Sequence, residues 1–339
     1  MVIEGGYLRD ILAQPQALRD TLAGLELGPA LAAAARRLAA GGFRRIVLTG
    51  MGGSYWALYP LYLDLLRRGH AAVLIETSEL IHYLPATLDA GTLLVVASQS
   101  GRSAEIVRVL DIKRPECFTV AITNTPDAPL AQRADAVAPT RAGEEFTVSC
   151  KTWLATVMAG AWLADVLAGR TGDLSPAAPA VAGYLAGWRD HVRGAAEALG
   201  GARHFFYLGR GNSLAAAGTA GLITKESTHR AAEGMSAAAF RHGPLEMVDG
   251  AVFALVFAGD GATAALNARL VEDIRQAGGR AVLAGEDAPN AAFRLPGVPA
   301  AVRPIVEILP VEMITLALAA SSGREAGKFE RASKVTETE

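Results

Sequence analysis

Short apolar runs alternate with helical patterns along most of the chain. The runs are rich in Val, Ile and Leu and too short for helices, which is typical of buried parallel strands. They occupy 45–50, 72–76, 93–98 and 118–123. Leu and Ala at three- and four-residue spacing predict helices over 7–40 and 56–68 and from about Ser103 onward. Strands alternating with helices predict a doubly wound α/β fold, in which helices cover a parallel sheet.

The second half of the chain repeats landmarks of the first. FFYLGRGNS at 205–213 resembles RIVLTGMGGS at 45–54, and ALVFAGDGATAA at 254–265 resembles LVVASQSGRSAE at 94–105. Ser213 lies 159 residues after Ser54, and the second pair of segments is offset by 160. Two landmarks at nearly one offset predict duplication of a single α/β unit. The segment 172–183, rich in Pro, Gly and Ala, is the expected junction.

Composition narrows the class of protein. The 339 residues are enough for two domains, and 51% hydrophobic residues support buried cores. A net charge of −2 gives no reason to expect a nucleic-acid or anionic-membrane partner. The two cysteines, Cys117 and Cys150, have no CxxC spacing, and the histidines form no ligand pattern, so we expect no metal.

Nothing in the sequence indicates export or membrane insertion. The first residues lack the apolar core of a signal peptide. The most membrane-like stretch, 152–164, has only 13 residues between Lys151 and Asp165, too few to span a bilayer. We therefore expect a cytoplasmic protein.

Polar residues follow the predicted strand 93–98 and precede a helix. They are Ser98, Gln99, Ser100 and Ser103. Unpaired N–H groups and the helix dipole favour an anion at such a junction. Ser54, which ends the first glycine loop, would complete the cradle because neighbouring strand tips converge. The alternative is that Ser100 or Ser103 is simply the N-cap of the helix. The segment has more polar residues than a helix cap requires, so we predict phosphate binding.

A dinucleotide site is the competing interpretation of the glycine loops. Gly50-x-Gly52 has Tyr55 where the fingerprint needs a third glycine, and Gly209-x-Gly211 has Leu214 there. Both fingerprints fail, so we expect no cofactor and disfavour a dinucleotide-dependent oxidoreductase.

Two further residues are candidates for acid–base chemistry. Glu226 lies in a helical pattern of small apolar residues, and His242 precedes Gly-Pro. A carboxylate and an imidazole can open a sugar ring and move a proton between C1 and C2. A surface glutamate and a structural histidine explain the two residues equally well on their own.

Taken together, four motifs resemble the SIS (sugar isomerase) family. They are SQSGRS at 98–103, the Lys225-Glu226 pair, RHGPL at 241–245 and the ending KVTETE. The nearest kinds are the isomerase half of glucosamine-6-phosphate synthase and stand-alone phosphosugar isomerases, deaminases and deglycases. The resemblance runs from about residue 25 to the C-terminus.

The resemblance implies an α/β chain of two tandem flavodoxin-like SIS subdomains, dimerised with active sites near the subunit interface. We expect an N-terminal helical segment, a phosphate-binding first SIS domain, a second SIS domain and a tail that closes the active site. Their expected ranges are 1–24, 25–175, 185–325 and 326–339.

The resemblance also implies roles for individual residues. Glu226 matches the proton-shuttling glutamate, and His242 matches a ring-opening histidine that can serve the neighbouring subunit. The phosphate-binding positions are Ser54, Ser98, Gln99, Ser100 and Ser103. The positions bordering the substrate pocket are Gly52, Gly53, Glu144, Ser149 and Lys151.

The chain departs from the synthase pattern in four respects. Thr219 and Ile223 stand where the synthase helix has a glutamate and a lysine. Lys334 lies one place after the synthase's substrate-binding lysine, so we expect it to bind the open-chain sugar rather than form a Schiff base. No glutaminase domain precedes residue 25, and we expect no glutaminase activity.

The sequence therefore predicts a phosphosugar isomerase that acts on a hexose phosphate by C1–C2 proton transfer. Isomerisation and amine release, as in a deaminase or deglycase, both remain open. A non-catalytic phosphosugar sensor is the alternative, although such a protein would not need Glu226 and His242.

Overall fold

The computed structural model describes residues 3–336 and divides the chain into two compact units. The N-terminal unit consists of Gln16–Glu144, Lys151–Ser175 and the chain from Arg331 onward. The C-terminal unit consists of Pro176–Glu330, the segment Glu145–Cys150 and the residues up to Pro15. Each unit contains one parallel sheet flanked by helices, which confirms the predicted fold class.

The N-terminal unit has the strand order β2-β1-β3-β4-β5, which is the flavodoxin-like order. Its strands are β1 (Arg45–Gly50), β2 (Ala72–Glu76), β3 (Thr92–Ala97), β4 (Phe118–Thr123) and β5 (Ala136–Pro139). The helices of this half of the chain are α1 (Gly6–Gly24, the first part of which belongs to the C-terminal unit), α2 (Pro29–Ala39), α3 (Gly53–Ala57), α4 (Tyr59–Arg67), α5 (Thr77–Tyr83), α6 (Ala104–Ile112), α7 (Pro129–Arg133) and α8 (Lys151–Leu167).

Burial explains why the central strands form. All of β3 is buried, because helices cover both faces of the sheet. Leu93 and Val95 pack on one face with Leu163 of α8, while Leu94 and Val96 pack on the other. The carboxyl ends of β1 and β3 consequently lie side by side, and the loops that follow them share one edge of the sheet.

The C-terminal unit has the order β7-β6-β8-β9, which is the order of the first four strands of the other sheet. Its strands are β6 (His204–Gly209), β7 (Ala232–Ser236), β8 (Val252–Phe257) and β9 (Arg280–Ala284). Its helices are α9 (Ala177–Leu185), α10 (Trp188–Leu199), α11 (Leu214–Thr228), α12 (Ala237–Phe240), α13 (Ala264–Gln276), α14 (Arg303–Glu307) and α15 (Leu309–Ser321). The shared order agrees with duplication, which stays a prediction.

Two predicted helices are interrupted. The helix expected over 7–40 ends at Gly24 and restarts at Pro29, because Gly28 is extended and proline favours the first helical position. The helix expected over 56–68 is divided at Leu58 into α3 and α4. The expected junction 172–183 is also partly helical, since α9 begins at Ala177.

One stretch within residues 3–336, Ala300–Ser321, is long and apolar enough to cross a membrane. It was not the stretch singled out from the sequence, which was 152–164. Since 89% of its most apolar window is buried inside the protein, it has the properties of a core helix.

Candidate functional site

The loop after β3 is a tight turn held by its own first serine. Ser98 donates its N–H to the Ile122 carbonyl at 3.0 Å, and its Oγ accepts the Gly101 N–H at 3.1 Å. Gly101 has φ +62°, and a Cβ there would lie 2.8 Å from the Ala128 Cβ. The turn therefore requires glycine, for both conformation and space.

The carboxyl end of β4 supports the middle of the loop. The Gln99 carbonyl accepts the Asn124 N–H at 3.1 Å and the Thr125 hydroxyl at 3.2 Å. Ser100 Oγ accepts the Arg102 N–H at 3.4 Å. Sequence reasoning missed Asn124 and Thr125, although their position directly after a buried strand was a usable signal.

Ser103 occupies the N-cap position of α6 with extended dihedrals, but its side chain makes no capping hydrogen bond. Ser103 is therefore the N-cap residue of α6 by position, but its hydroxyl is not used to cap the helix. The Ala104 N–H, at the start of the same helix, donates to the Thr336 carbonyl at 3.2 Å. Thr336 is the last described residue, and Glu337 lies outside the described residues.

The glycine loop after β1 lies beside this loop. A Cβ at Gly50 would come within 3.0 Å of both the Ala97 carbonyl oxygen and the Ser54 backbone. Gly52 has φ +52° and is the N-cap of α3, and the half-buried Ser54 donates its N–H to the Met51 carbonyl at 3.0 Å. The structure thus brings Gly52, Gly53 and Ser54 to the edge of the sheet that carries Ser98–Ser103.

This edge has the chemistry of an anion site. It offers several hydroxyl donors and the start of a helix of nine residues, α6, to which the helix dipole adds partial positive charge. A phosphate monoester needs such a set of donors.

The other predicted residues of the N-terminal unit differ in exposure. Glu144 is exposed, whereas Lys151 is buried at the first position of α8. Lys334 is half-buried in the tail, where the neighbouring Ser333 hydroxyl donates to the Val335 carbonyl at 2.6 Å.

The remaining predicted residues belong to the C-terminal unit. Ser149 is half-buried in the segment Glu145–Cys150. Glu226 is half-buried in the last turn of α11, and Thr219 and Ile223 on the same helix are both buried. His242 is exposed in the turn after α12, and its N–H donates to the Ala239 carbonyl at 2.9 Å.

Glu226 lies within electrostatic reach of Tyr7. Burial is the main cause that raises the pKa of the Tyr7 phenol well above its ordinary value, and the carboxylates of Glu312 and Glu226 add to it. The phenol therefore stays protonated, and its hydroxyl and that of Thr315 are 3.3 Å apart. Within residues 3–336, no group of His, Cys, Asp and Glu side chains could hold a metal ion.

Comparisons with known proteins show which sequences and folds this chain resembles. The family model of the SIS domain matches residues 42–165. Glutamine–fructose-6-phosphate aminotransferase (isomerizing) of Pyrococcus horikoshii is 30% identical over 344 residues, which cover 95% of this chain and 56% of that protein. The chain thus spans about half the length of the curated relatives it matches.

Solved structures show the same fold. The C-terminal domain of glucosamine-fructose-6-phosphate aminotransferase from Francisella tularensis has a TM-score of 0.83 at 22% identity, covering 95% of this chain and 98% of that one. Tagatose-6-phosphate ketose/aldose isomerase from Escherichia coli has a TM-score of 0.80 at 19% identity, covering 96% of each chain. Residues 42–165 of this chain therefore match the SIS domain family.

Proposed function

We propose that this chain is a cytoplasmic phosphosugar-processing enzyme that moves a proton between C1 and C2 of a hexose phosphate. The observation that carries the proposal is the edge of the N-terminal sheet, where the Ser98–Ser103 loop lies beside the glycine loop that ends in Ser54. Relatives named as aminotransferases and isomerases of hexose phosphates support the same substrate class.

In this proposal Ser54, Ser98, Gln99, Ser100 and Ser103 hold the phosphate. The Ser103 hydroxyl is suited to this role because it makes no bond within the helix cap. The Ser98 hydroxyl accepts the Gly101 N–H and still has its own proton to donate to a phosphate oxygen.

Glu226 is the proposed acid–base that carries the proton between C1 and C2. His242 is the proposed ring-opening group, and its exposure suits a side chain that serves the active site of a second copy in a homodimer. Lys334 is proposed to bind the open-chain sugar, in a pocket bordered by Gly52, Gly53, Glu144, Ser149 and Lys151. The tail that begins at Ala326 is proposed to close the site.

The same proton transfer serves two outcomes. With oxygen on both carbons, Glu226 takes the proton from one carbon to form an enediol and returns it to the other carbon, so an aldose and a ketose interconvert. With an amine at C1 or C2, the same transfer through an enolamine gives an imine, which water hydrolyses to a carbonyl group and the free amine. The relatives are named as aminotransferases, which favours including amino sugars among the substrates tested.

Hydrogen exchange at C1 or C2 tests the proposal directly. The protein would be incubated in D₂O with fructose-, glucose-, glucosamine- and tagatose-6-phosphate. Proton NMR would follow loss of the C2 proton signal for the two aldoses and of a C1 proton signal for the two ketoses. We expect exchange with at least one sugar, and its loss in Glu226→Gln, which keeps the side-chain shape but removes the base. Exchange that persists in this variant would contradict the role of Glu226.

Affinity tests the phosphate site separately. Ser98→Ala removes a hydrogen bond to a charged group, so we expect calorimetry to show roughly ten- to a hundredfold weaker sugar-phosphate binding. Unchanged affinity would place the phosphate elsewhere. Size-exclusion chromatography with light scattering tests the proposed dimer.

A phosphosugar sensor is the second candidate. Thr219 and Ile223 stand on α11 where the synthase helix has a glutamate and a lysine, so this helix lacks two charged groups of the synthase pattern. Both residues are buried. Binding of sugar phosphates without hydrogen exchange at C1 or C2 of any of them would favour the sensor over the enzyme.

A further inference from the structure

A cavity lies wholly within the C-terminal unit, at the carboxyl ends of β8 and β9. Its volume is about 190 Å³, and its walls come from the loops after both strands, the segment 295–298 and helix α14. A cavity of this size accommodates a small molecule rather than a nucleotide. None of the residues assigned above to the phosphosugar site lines it.

Glu307 lines this cavity and is almost completely buried, with 1% of its surface exposed. Its Oε1 accepts the Ser213 hydroxyl at 2.7 Å, while its Oε2 is buried and has no hydrogen-bond partner among the described residues. A buried polar atom without a partner costs free energy, so such an atom beside a cavity indicates a missing donor.

The charged groups around Glu307 determine which donor would fit. The pKa of Glu307 is raised to about 7. Burial is the main cause, the Ser213 hydrogen bond and Arg303 oppose it, and Asp260 adds a smaller increase. The Arg303 guanidinium donates a hydrogen bond to the Gly259 carbonyl. A ligand that brings positive charge would therefore stabilise the ionised carboxylate.

The rim adds more acceptors. Glu286 and Asp287 line the cavity at its exposed side, and Glu286 Oε2 would lie 3.4 Å from a Cβ at Gly297. Ionised carboxylates accept hydrogen bonds and donate none. The cavity is thus lined by the carboxyl groups of Glu307, Glu286 and Asp287 and by one guanidinium group, that of Arg303. This set favours a ligand rich in hydrogen-bond donors, with an ammonium group next to the buried Glu307 and hydroxyl groups next to the exposed pair.

We propose that this cavity is a second binding site, in which the free Oε2 of Glu307 accepts a hydrogen bond from the ammonium group of a small polyhydroxylated amine. Amino sugars and amino polyols belong to this class. The site needs no phosphate, and it stands or falls independently of the proposed catalytic function.

The probe pair is glucamine and sorbitol, which have nearly the same shape and differ in that glucamine carries an ammonium group. Ligand-observed NMR and calorimetry at pH 7 should show saturable glucamine binding and at least tenfold weaker binding of sorbitol. Calorimetry in two buffers of different ionisation enthalpy should show proton release, because the ammonium group favours the ionised form of Glu307.

Three variants locate the binding. Glu307→Gln should weaken glucamine binding ten- to a hundredfold and abolish the proton release. Glu286→Gln, at the exposed rim, should fold normally and weaken binding by a smaller factor, so it keeps the test open if Glu307→Gln is unstable. Ser98→Ala, at the other sheet edge, should leave glucamine binding unchanged.

Several results would overturn the proposal. They are the absence of saturable glucamine binding, equal binding of sorbitol, and full affinity in a folded Glu307→Gln variant. Loss of binding in Ser98→Ala with full binding in Glu286→Gln would move the ligand to the phosphosugar site and also overturn it.

Discussion

Glu312 gives the most direct test of the electrostatics of the C-terminal unit. It lies on α15 and is completely buried, and its Oε1 accepts a hydrogen bond from Gln14 Nε2. The pKa of Glu312 is raised to about 8. Burial is the main cause, the hydrogen bond from Gln14 opposes it, and Glu145 adds a smaller increase. Both Glu312 Oε2 and Gln14 Oε1 are buried without a hydrogen-bond partner among the described residues. A proton on Glu312 Oε2 would supply the donor that Gln14 Oε1 lacks.

The raised pKa makes folding depend on pH with a definite sign. The folded chain holds the Glu312 proton more tightly than the unfolded chain does. The contribution of this proton to the free energy of unfolding is therefore fully present below the ordinary pKa of 4.5. It is lost as pH rises towards about 8, at up to 1.4 kcal/mol per pH unit, or about 4–5 kcal/mol in total as an upper limit. Glu307 acts with the same sign, and its contribution ends near pH 7.

Glu312→Gln isolates the first contribution, because a glutamine amide is neutral throughout and can still pair with Gln14. Urea unfolding followed by circular dichroism between pH 4.5 and 9 would measure the free energy of unfolding. We expect the wild type to lose stability continuously up to about pH 8, and the variant to show a smaller loss that ends near pH 7. Glu307→Gln is the matched control, which should retain the loss between pH 7 and 8. Equal slopes in the wild type and Glu312→Gln would refute a buried, protonated Glu312.

Two substitutions test the loop after β3. Gly101→Ala should destabilise the protein by about 1–2 kcal/mol through its positive φ and by a further 1–3 kcal/mol through the contact with Ala128, measured by urea unfolding. Gly41→Ala is the control, because it has a similar φ of +71° and open space for a Cβ, so an equal loss there would contradict the steric argument. Ser103→Ala should change stability by less than about 0.5 kcal/mol, because the hydroxyl does not cap α6, yet weaken phosphosugar binding at least tenfold in calorimetry. A large loss of stability would show that Ser103 is structural.

The sequence predicted the central strands and the edge strand β2 well, but it missed the edge strands β5 and β7. The strands β1, β3 and β4 are buried on both faces and therefore appear as uninterrupted apolar runs. The edge strands β5 and β7 are largely half-buried and short, and AVAP and AEGMS carry no such signal. The break in the first helix was missed because Leu25 and Leu27 continue the apolar spacing across Gly28-Pro29.

The two sheet edges also differed in how far the sequence could predict them. The serines after β3 are consecutive in the chain, so their position at a strand end predicted a shared site before any contact was known. The pair Ser213 and Glu307 is separated by 94 residues, and each residue alone is unremarkable in sequence. Burial distinguishes Glu307, and the burial of a single charged residue follows from tertiary packing that periodicity does not show.

The shared strand order of the two units makes their difference in charge informative. Ser54 and Ser213 occupy corresponding loops, after β1 and β6. Ser213 donates its hydroxyl to the buried carboxyl group of Glu307, whereas the loop of Ser54 follows a strand paired with β3, the strand that leads into Ser98. The loop after β8 has Asp260 where the loop after β3 has Ser100, with Gly259 and Gly261 around it. Negative charge at this edge disfavours a phosphate dianion and favours a cation. We therefore expect one phosphate site per chain, at the N-terminal sheet, and recognition of positive charge at the other.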